Sequence, residues 1–408
     1  MTTEVSIVNL EELAKDVSDL RRQMLKEQGA EDYAHLKAVE RWGRLFTTLG
    51  FATAWIAPNP LSMVLLSVGN FVRWAGVTHP ISHRGYDRIK GVSPRHTSKI
   101  FAQGRRRYVD WFDWIVPEGW HHEHDVLHHY RLGEESDPDQ VELNLEWLRR
   151  SKAPLILKYA IVAMFATVWK PVYYAPSTIL ELRRETLRKA GANAELETLY
   201  AWRQWIPITP QGKALWADSY VPYLALKFAA IPALFAPLGW WAVANVWLNN
   251  LGAELLANLL SFTMIIPNHT GDDLPRFDQP VQSRGEFYLR QITGSVNYRS
   301  GGPITDFLQG WLNYQIEHHL FPDMPLSQYP KVSGRVRKIC AKHGIIYREE
   351  MVFKRLKKAV DVMVGKTTMP WARAPAEARS EVPPPIPAEL FEDTAEPGAD
   401  AAAIATTI

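Results

Sequence analysis

Two pairs of apolar stretches limit what this chain can become more than any other feature in it. Residues 42–57 and 61–77 are split by Pro58-Asn59-Pro60, and residues 221–237 and 240–266 by Pro237-Leu238-Gly239. A helix crossing the hydrocarbon core needs about 20 apolar residues. Proline or glycine at the break ends one helix and lets the next begin. The pattern predicts two helical hairpins, each crossing a membrane twice; a helical hairpin buried in a soluble protein is the competing reading. Residues 155–175 are also apolar but carry Lys158 and Lys170 and are broken by Pro171, so they either span or lie in the interface. Arg73 and Trp74, near the end of the second stretch, fit a membrane–water boundary.

The flanks read differently. In residues 1–40, Val8, Leu10, Leu13, Val17 and Leu20 recur at helical spacing between charges, which predicts a soluble helical lead-in. Four acids in the first sixteen residues exclude a signal-peptide pattern, so the N-terminus is expected in the cytosol. Residues 374–408 hold seven acids against one arginine, with six prolines and ten alanines. Such a segment buries too little apolar surface to offset its ordering entropy, and 366–408 is expected to be a disordered acidic tail. The chain's net charge of +2 therefore hides a basic body, as suits a protein lying against anionic lipid. Arg105-Arg106-Arg107 runs into Tyr108, Trp111, Phe112 and Trp114, a composition suited to an interfacial segment. With no recognisable domain around that run, nucleic acid is not expected as a partner.

Ten of the thirteen histidines fall in four places: 79 and 83; 121, 122, 124, 128 and 129; 269; and 318 and 319. His79 and His83 are four apart and share a helix face; His121, His124 and His128 share another, with His129 turned to the neighbouring side. Imidazoles converging from several helices, with carboxylates nearby, make a transition-metal site. A single cysteine, Cys340, excludes a thiolate cage and favours iron, manganese or zinc over Cu(I). A structural zinc is complete with four ligands, and twice that number argues for two metals. His121 and His122 exceed the need, each either a supporting or a surface residue; His35, His96 and His343 are assigned no role. If the clusters meet, they lie on one side of the membrane and an even number of crossings separates them. That predicts an all-α integral membrane protein with four spans in two hairpins (42–57, 61–77, 221–237 and 240–266). Residues 155–175 then lie in the interface, and a cytosolic helical cap within the body, 41–365, holds a di-metal site. The basic run Arg183, Arg184, Arg188 and Lys189 and both termini stay cytosolic.

Three runs carry a family resemblance: His79-Pro-Ile-Ser-His83, His124-Asp-Val-Leu-His128-His129 and Gln315-Ile-Glu-His318-His319-Leu-Phe-Pro322. With them the chain resembles the membrane fatty acid desaturase/hydroxylase superfamily, over roughly residues 45–350. The third run is similar to the last histidine box of acyl-lipid and front-end desaturases, where glutamine often replaces the first histidine. The resemblance implies a non-haem di-iron centre. Its ligands would be His79, His83, His124, His128, His129, His269, His318 and His319, with Gln315 ligating, bonding through water or doing neither. It implies a reaction in which dioxygen and two electrons remove two hydrogens from an unactivated acyl chain. The second box departs from the commoner pattern by one extra residue. Ile265 stands where stearoyl-type acyl-CoA desaturases carry asparagine. The His-Pro-Gly-Gly signature of a fused cytochrome b5-type domain does not occur, which implies an external electron donor of ferredoxin or cytochrome b5 type.

Supporting carboxylates are expected among Glu123, Asp125, Asp137, Asp139, Asp272, Asp273 and Glu317. Glu254, inside a span, is a functional candidate unless paired between helices. The function expected is a desaturase acting on a lipid or fatty acyl chain. An acyl hydroxylase using the same centre, a histidine-rich metal transporter and a membrane zinc hydrolase are the rivals.

Overall fold

The computed structural model describes residues 8–193 and 202–372, and they are almost wholly helical. The expected tail lies mostly outside the described residues, as do residues 1–7. Residues 366–372, read with that tail, are placed: Met369 is buried and Trp371–Ala372 pair with Arg276–Phe277.

Helix Leu10–Glu27 begins where the Asn9 side chain accepts the Glu12 amide at 3.1 Å, satisfying one of the free first-turn donors. Leu13, Val17, Leu20 and Met24 form its buried stripe. Helices Ala30–Ala54 and Pro60–Phe71 then pack as the first hairpin. Its turn is built twice over. Asn59 caps the second helix by accepting the Ser62 amide at 2.7 Å, with Pro60 at the first helical position. Asn249, from the distant helix Trp240–Ile265, donates to the carbonyls of Ala54 and Ala57 and accepts the Asn59 amide, all within 2.9 Å. Asn245 serves Trp55 and Ile56 in the same way. Lipid offers no partner to a turn's open backbone groups, so protein amides must supply one.

Among the described residues three helices are long and apolar enough to cross a membrane: Pro60–Ser82, Pro210–Leu238 and Trp240–Asn268. They contain the second, third and fourth expected spans. The first expected span differs. It is the C-terminal half of Ala30–Ala54, where Trp42, Leu45 and Leu49 are exposed, but Lys37, Glu40, Arg41 and Arg44 make that helix too charged to rank with the other three. The stretch expected at the interface is bent. Helix Leu155–Ala166 stops, and Lys170–Lys189 leaves it at 88°; the pair counts as a fourth candidate only if taken as one broken span. Pro171, which lacks an amide donor, sits in the first turn after the bend. The turn between Pro210–Leu238 and Trp240–Asn268 is made at Gly239, whose φ of 103° is open to glycine and costly for other residues. Trp240 and Trp241 beside it are more than 80 % exposed, as membrane-interface aromatics would be.

Glu254 is paired. It accepts from Trp114 Nε1 at 2.7 Å, Tyr223 Oη at 2.6 Å and Asn258 Nδ2 at 3.2 Å. Above the long helices, short parallel pairings tie the C-terminal segment down; Asn297–Tyr298 runs beside Glu349–Glu350.

Candidate metal centre

Each histidine cluster sits where backbone geometry changes. Helix Pro60–Phe71 widens over Val72–Thr78 into turns closed by i→i+5 bonds, and His79 opens the last regular turn. Such widenings recur at functional sites. The same widening covers His121–His128 and accounts for the extra residue in that run. His124 and His128, four apart, stack with centroids 5.3 Å apart and planes inclined at 22°. His269 follows the end of the long span Trp240–Asn268. His318 and His319 lie on the short helix Gln315–Leu320, which Asn297 holds by accepting the Ile316 amide at 2.8 Å and donating to Glu317 at 2.7 Å.

All eight histidines converge. His79, His83, His124 and His318 form one group, and His128, His269 and His319 a second. His129 joins His318 and His319, and within each group the nitrogens lie within 4.8 Å of one another. Donors on one cation with bonds of about 2.1 Å are separated by up to about 4.2 Å, so these groups are near ligand spacing. Asp139 makes a further group with His124 and His128.

Outer hydrogen bonds orient the rings. Nδ1 of His83 meets Asp125 at 3.0 Å, and that of His128 meets Asp137 at 3.0 Å. His269 meets the Gly294 carbonyl at 3.1 Å, His318 the Tyr329 hydroxyl at 3.3 Å and His319 the Gln291 amide oxygen at 2.8 Å. An acceptor at Nδ1 fixes the proton there and leaves the Nε2 lone pair free. Nε2 of His83, His318 and His319 and both nitrogens of His129 are buried with no hydrogen-bond partner. Buried polar atoms are rarely left so. Several of them facing one another fit bound metal, which would accept one lone pair from each ring.

Electrostatics agree. Burial, then the neighbouring imidazoles, push the pKa values of His124, His129, His318 and His319 well below the usual histidine range, which keeps them neutral, as metal ligands must be. His128 moves the other way: burial lowers it, but Asp137 and Asp139 outweigh that and raise it. Burial also works against the Asp125 carboxylate, yet His83 and His121 hold it well below the carboxylate range.

Gln315 sits at the edge of the second group, its amide 2.9 Å from His269 Nε2 and its oxygen accepting from Asn268 at 3.0 Å. His121 is about half exposed and bonds the outer side of Asp125 at 2.8 Å; it stands behind His83 rather than in the cluster. His122 belongs to none of the groups. Of the expected carboxylates, Asp125 and Asp137 hold histidines. Glu317 instead binds Asn297 and Tyr347, Asp273 binds Arg355, and Asp272 is exposed. The lone histidines are structural: His96 bonds Tyr33, His343 bonds Asp16, and His35 packs edge-on to Trp311. Sequence reasoning missed Gln291, Tyr329 and Arg355. Arg355 is fully buried and donates to the carbonyls of Pro267 and Thr270 and to Asp273, clamping the turn that carries His269.

Comparison with known proteins agrees with this architecture. The family described as fatty acid desaturase matches residues 53–350. An NADPH-dependent stearoyl-CoA 9-desaturase of Mycobacterium tuberculosis is 33% identical over 123 residues, 29% of each chain. An acyl-lipid (9-3)-desaturase of Physcomitrium patens is 34% identical over 113 residues, 28% of this chain and 18% of the relative. An acyl-lipid (7-3)-desaturase of Rebecca salina is 30% identical over 246 residues, 58% of this chain and 50% of the relative. The matched stretches thus span no more than half the length of these relatives. With its histidine boxes converging and most of its length matched, the chain belongs to the fatty acid desaturase family.

Proposed function

We propose that this chain is a dioxygen-dependent, di-iron desaturase that introduces a double bond into a lipid or fatty acyl chain. The observation that carries it is the convergence of eight histidines, five of them with Nδ1 engaged from outside and several with a buried, unpartnered nitrogen facing the others. His79, His83, His124 and His318 would hold one iron, and His128, His269 and His319 the other. His129 lies between them, with Gln315 beside His269. Two irons, reduced by the external donor, would activate dioxygen as the oxidant that removes hydrogen from an unactivated chain; no side chain here can do so.

The chain's own residues fix ring orientation. Asp125, Asp137, the Gly294 carbonyl, Tyr329 and Gln291 keep the proton on Nδ1 and the lone pair at Nε2 directed inward. The rings of Trp74 and Trp120 stack on His79 and His124 and exclude water from that side. A mainly apolar cavity is lined by Val141, Leu145, Phe165, Trp169, Ile266 and Met363, and it reaches Asp139 at the rim of the histidine cluster. It is the best candidate for the bed of the acyl chain. These pinned rings at helix ends favour a fixed centre over a transport path, which would place ligands along the spans.

We read the chain as multi-pass, with the centre and both termini on the cytosolic side. His79 closes one span and His269 follows another, so both clusters sit at the same mouth of the bundle. Electrons would come from a separate ferredoxin or cytochrome b5-type protein. The test is expression in a host with a simple lipid profile, followed by mass spectrometry of the lipids. A product two hydrogens lighter supports the desaturase, and one oxygen heavier assigns the hydroxylase instead. Purified protein without iron, or iron-loaded protein inert towards acyl substrates with dioxygen and reductant, overturns the reading.

A further inference from the structure

Beneath the histidine cluster lies a second polar cavity, lined by Asn70, Arg73, Trp74, Asp113, Lys170 and Glu254 among others. Its lining charges, Arg73 and Lys170 against Asp113 and Glu254, balance, but with Lys227 just outside the lining the cluster holds three cations against two carboxylates. Lys170 pairs with Asp113 at 2.8 Å, and Lys227 lies 3.8 Å from Glu254. Arg73 is the third cation and has no carboxylate of its own among the described residues. Its guanidinium donates to the Phe112 carbonyl at 3.2 Å and lies 4.9 Å from that residue's ring centre. One carbonyl leaves most of its five N–H donors unused. Two more donors at the same cavity are buried without a partner, Trp74 Nε1 and Asn70 Nδ2. Trp74 is 95 % buried, with 5 % exposed.

A surplus buried cation beside unfilled N–H donors is costly unless an acceptor completes the set. Place narrows the choice of acceptor. Arg73 lies within the candidate span Pro60–Ser82, where an ionisable group is a functional site by default. Trp74 forms the shared wall: its ring stacks on His79 at 5.6 Å, and Lys170 Nζ lies 4.9 Å from its centre. Residues 169 and 170 divide this cavity from the apolar one, Trp169 lining the apolar cavity and Lys170 the polar one.

We propose that Arg73, Trp74 and Asn70 bind the oxygen-bearing end of the acyl substrate, its carboxylate or ester carbonyl, beside His79. The inference deepens the desaturase reading and rests on it only for the identity of the ligand's chain. Arg73 supplies charge and paired donors, and Trp74 adds a directional N–H. The acyl tail is left for apolar surroundings.

Binding to the full-length protein in lipid nanodiscs tests this without turnover, by displacement of a fluorescent fatty acid with oleate, methyl oleate or oleyl alcohol. A charge-assisted hydrogen bond predicts that oleate outcompetes oleyl alcohol by about tenfold or more. Arg73→Gln should bring the two within about threefold. Trp74→Phe, which keeps the ring and removes only the N–H, should narrow the gap less and keeps the test open if the arginine variant does not fold. Methyl oleate binding like oleate assigns the pocket to an ester carbonyl; methyl oleate binding like the alcohol assigns it to a carboxylate. Equal binding of oleate and oleyl alcohol by the wild type, or a gap unchanged in both variants, overturns the proposal. A protein that makes desaturated product without discriminating the two loses only this inference. One that discriminates through Arg73 yet makes no product loses only the desaturase reading.

Discussion

Replacing Gln291 by leucine should cost both stability and metal, and the two losses can be separated. Gln291 is 1 % exposed on helix Arg284–Thr293. Its oxygen accepts from His319 Nδ1 at 2.8 Å and its nitrogen donates to the His129 carbonyl at 3.0 Å. Leucine fills a similar volume but strands a buried donor and a buried acceptor. At about 1–3 kcal/mol for each unsatisfied group, the metal-free protein should lose about 2–6 kcal/mol. Loss of the group that orients a ligating histidine should weaken metal binding by about 10–100-fold. Gln291→Glu keeps an acceptor for His319 and gives up only the bond to His129, so its metal affinity should lie between wild type and leucine. Thermal unfolding of metal-free protein reads the first effect. Metal content by elemental analysis, after dialysis against a graded chelator series, reads the second. A leucine variant that releases metal at the wild-type chelator concentration would refute the claim that this amide holds the ligands in register.

Other positions offer independent checks. Arg355→Met should cost about 2–6 kcal/mol by stranding the Pro267 and Thr270 carbonyls, at about 1–3 kcal/mol each, while Asp273 keeps Lys358, and should lower the metal-to-chain ratio by loosening His269; unchanged unfolding and metal content would count against the clamp. In Gly285→Ala the new Cβ would lie 2.1 Å from the Leu10 carbonyl oxygen. Helix Leu10–Glu27 should shift at a cost of about 1–3 kcal/mol, seen as faster hydrogen exchange in residues 10–27, and wild-type exchange there would contradict the contact. Asn249→Leu removes three bonds that close the first hairpin turn. Protease nicking near residues 55–59 should rise in detergent-solubilised protein, and no change would mean that the turn satisfies itself.

What the sequence disclosed about the site follows from where each piece of information resides. Ligand histidines recur at intervals a helix turns into shared faces, so His79 with His83 and His124 with His128 were readable from spacing. The carboxylates Asp125 and Asp137 were readable as candidates because they lie in or just after the second histidine run, but only the fold brings Asp125 to His83, 42 residues away. Gln291 and Tyr329 were not: a lone glutamine or tyrosine carries no signal, and only the fold sets Gln291 28 residues ahead of the ring it supports. The membrane spans were legible only in part, for a similar reason. Pro58-Asn59-Pro60 marked the first hairpin turn, but apolar composition could not show that the charges on Ala30–Ala54 share a helix with the exposed tryptophan and leucines. Nor could it show that 155–175 bends by 88°.

Charged residues within spans make the general point. Glu254 was the intramembrane charge that stood out in the sequence, yet Trp114, Tyr223, Asn258 and Lys227 account for it. Arg73 was read as a boundary residue, yet it is the cation left over once Lys170 and Lys227 are matched to Asp113 and Glu254. A charge in a span indicates function only after its partners have been subtracted, and most of those partners come from other segments, as far as 140 residues away in sequence. The subtraction points away from the acid and towards the arginine beside His79.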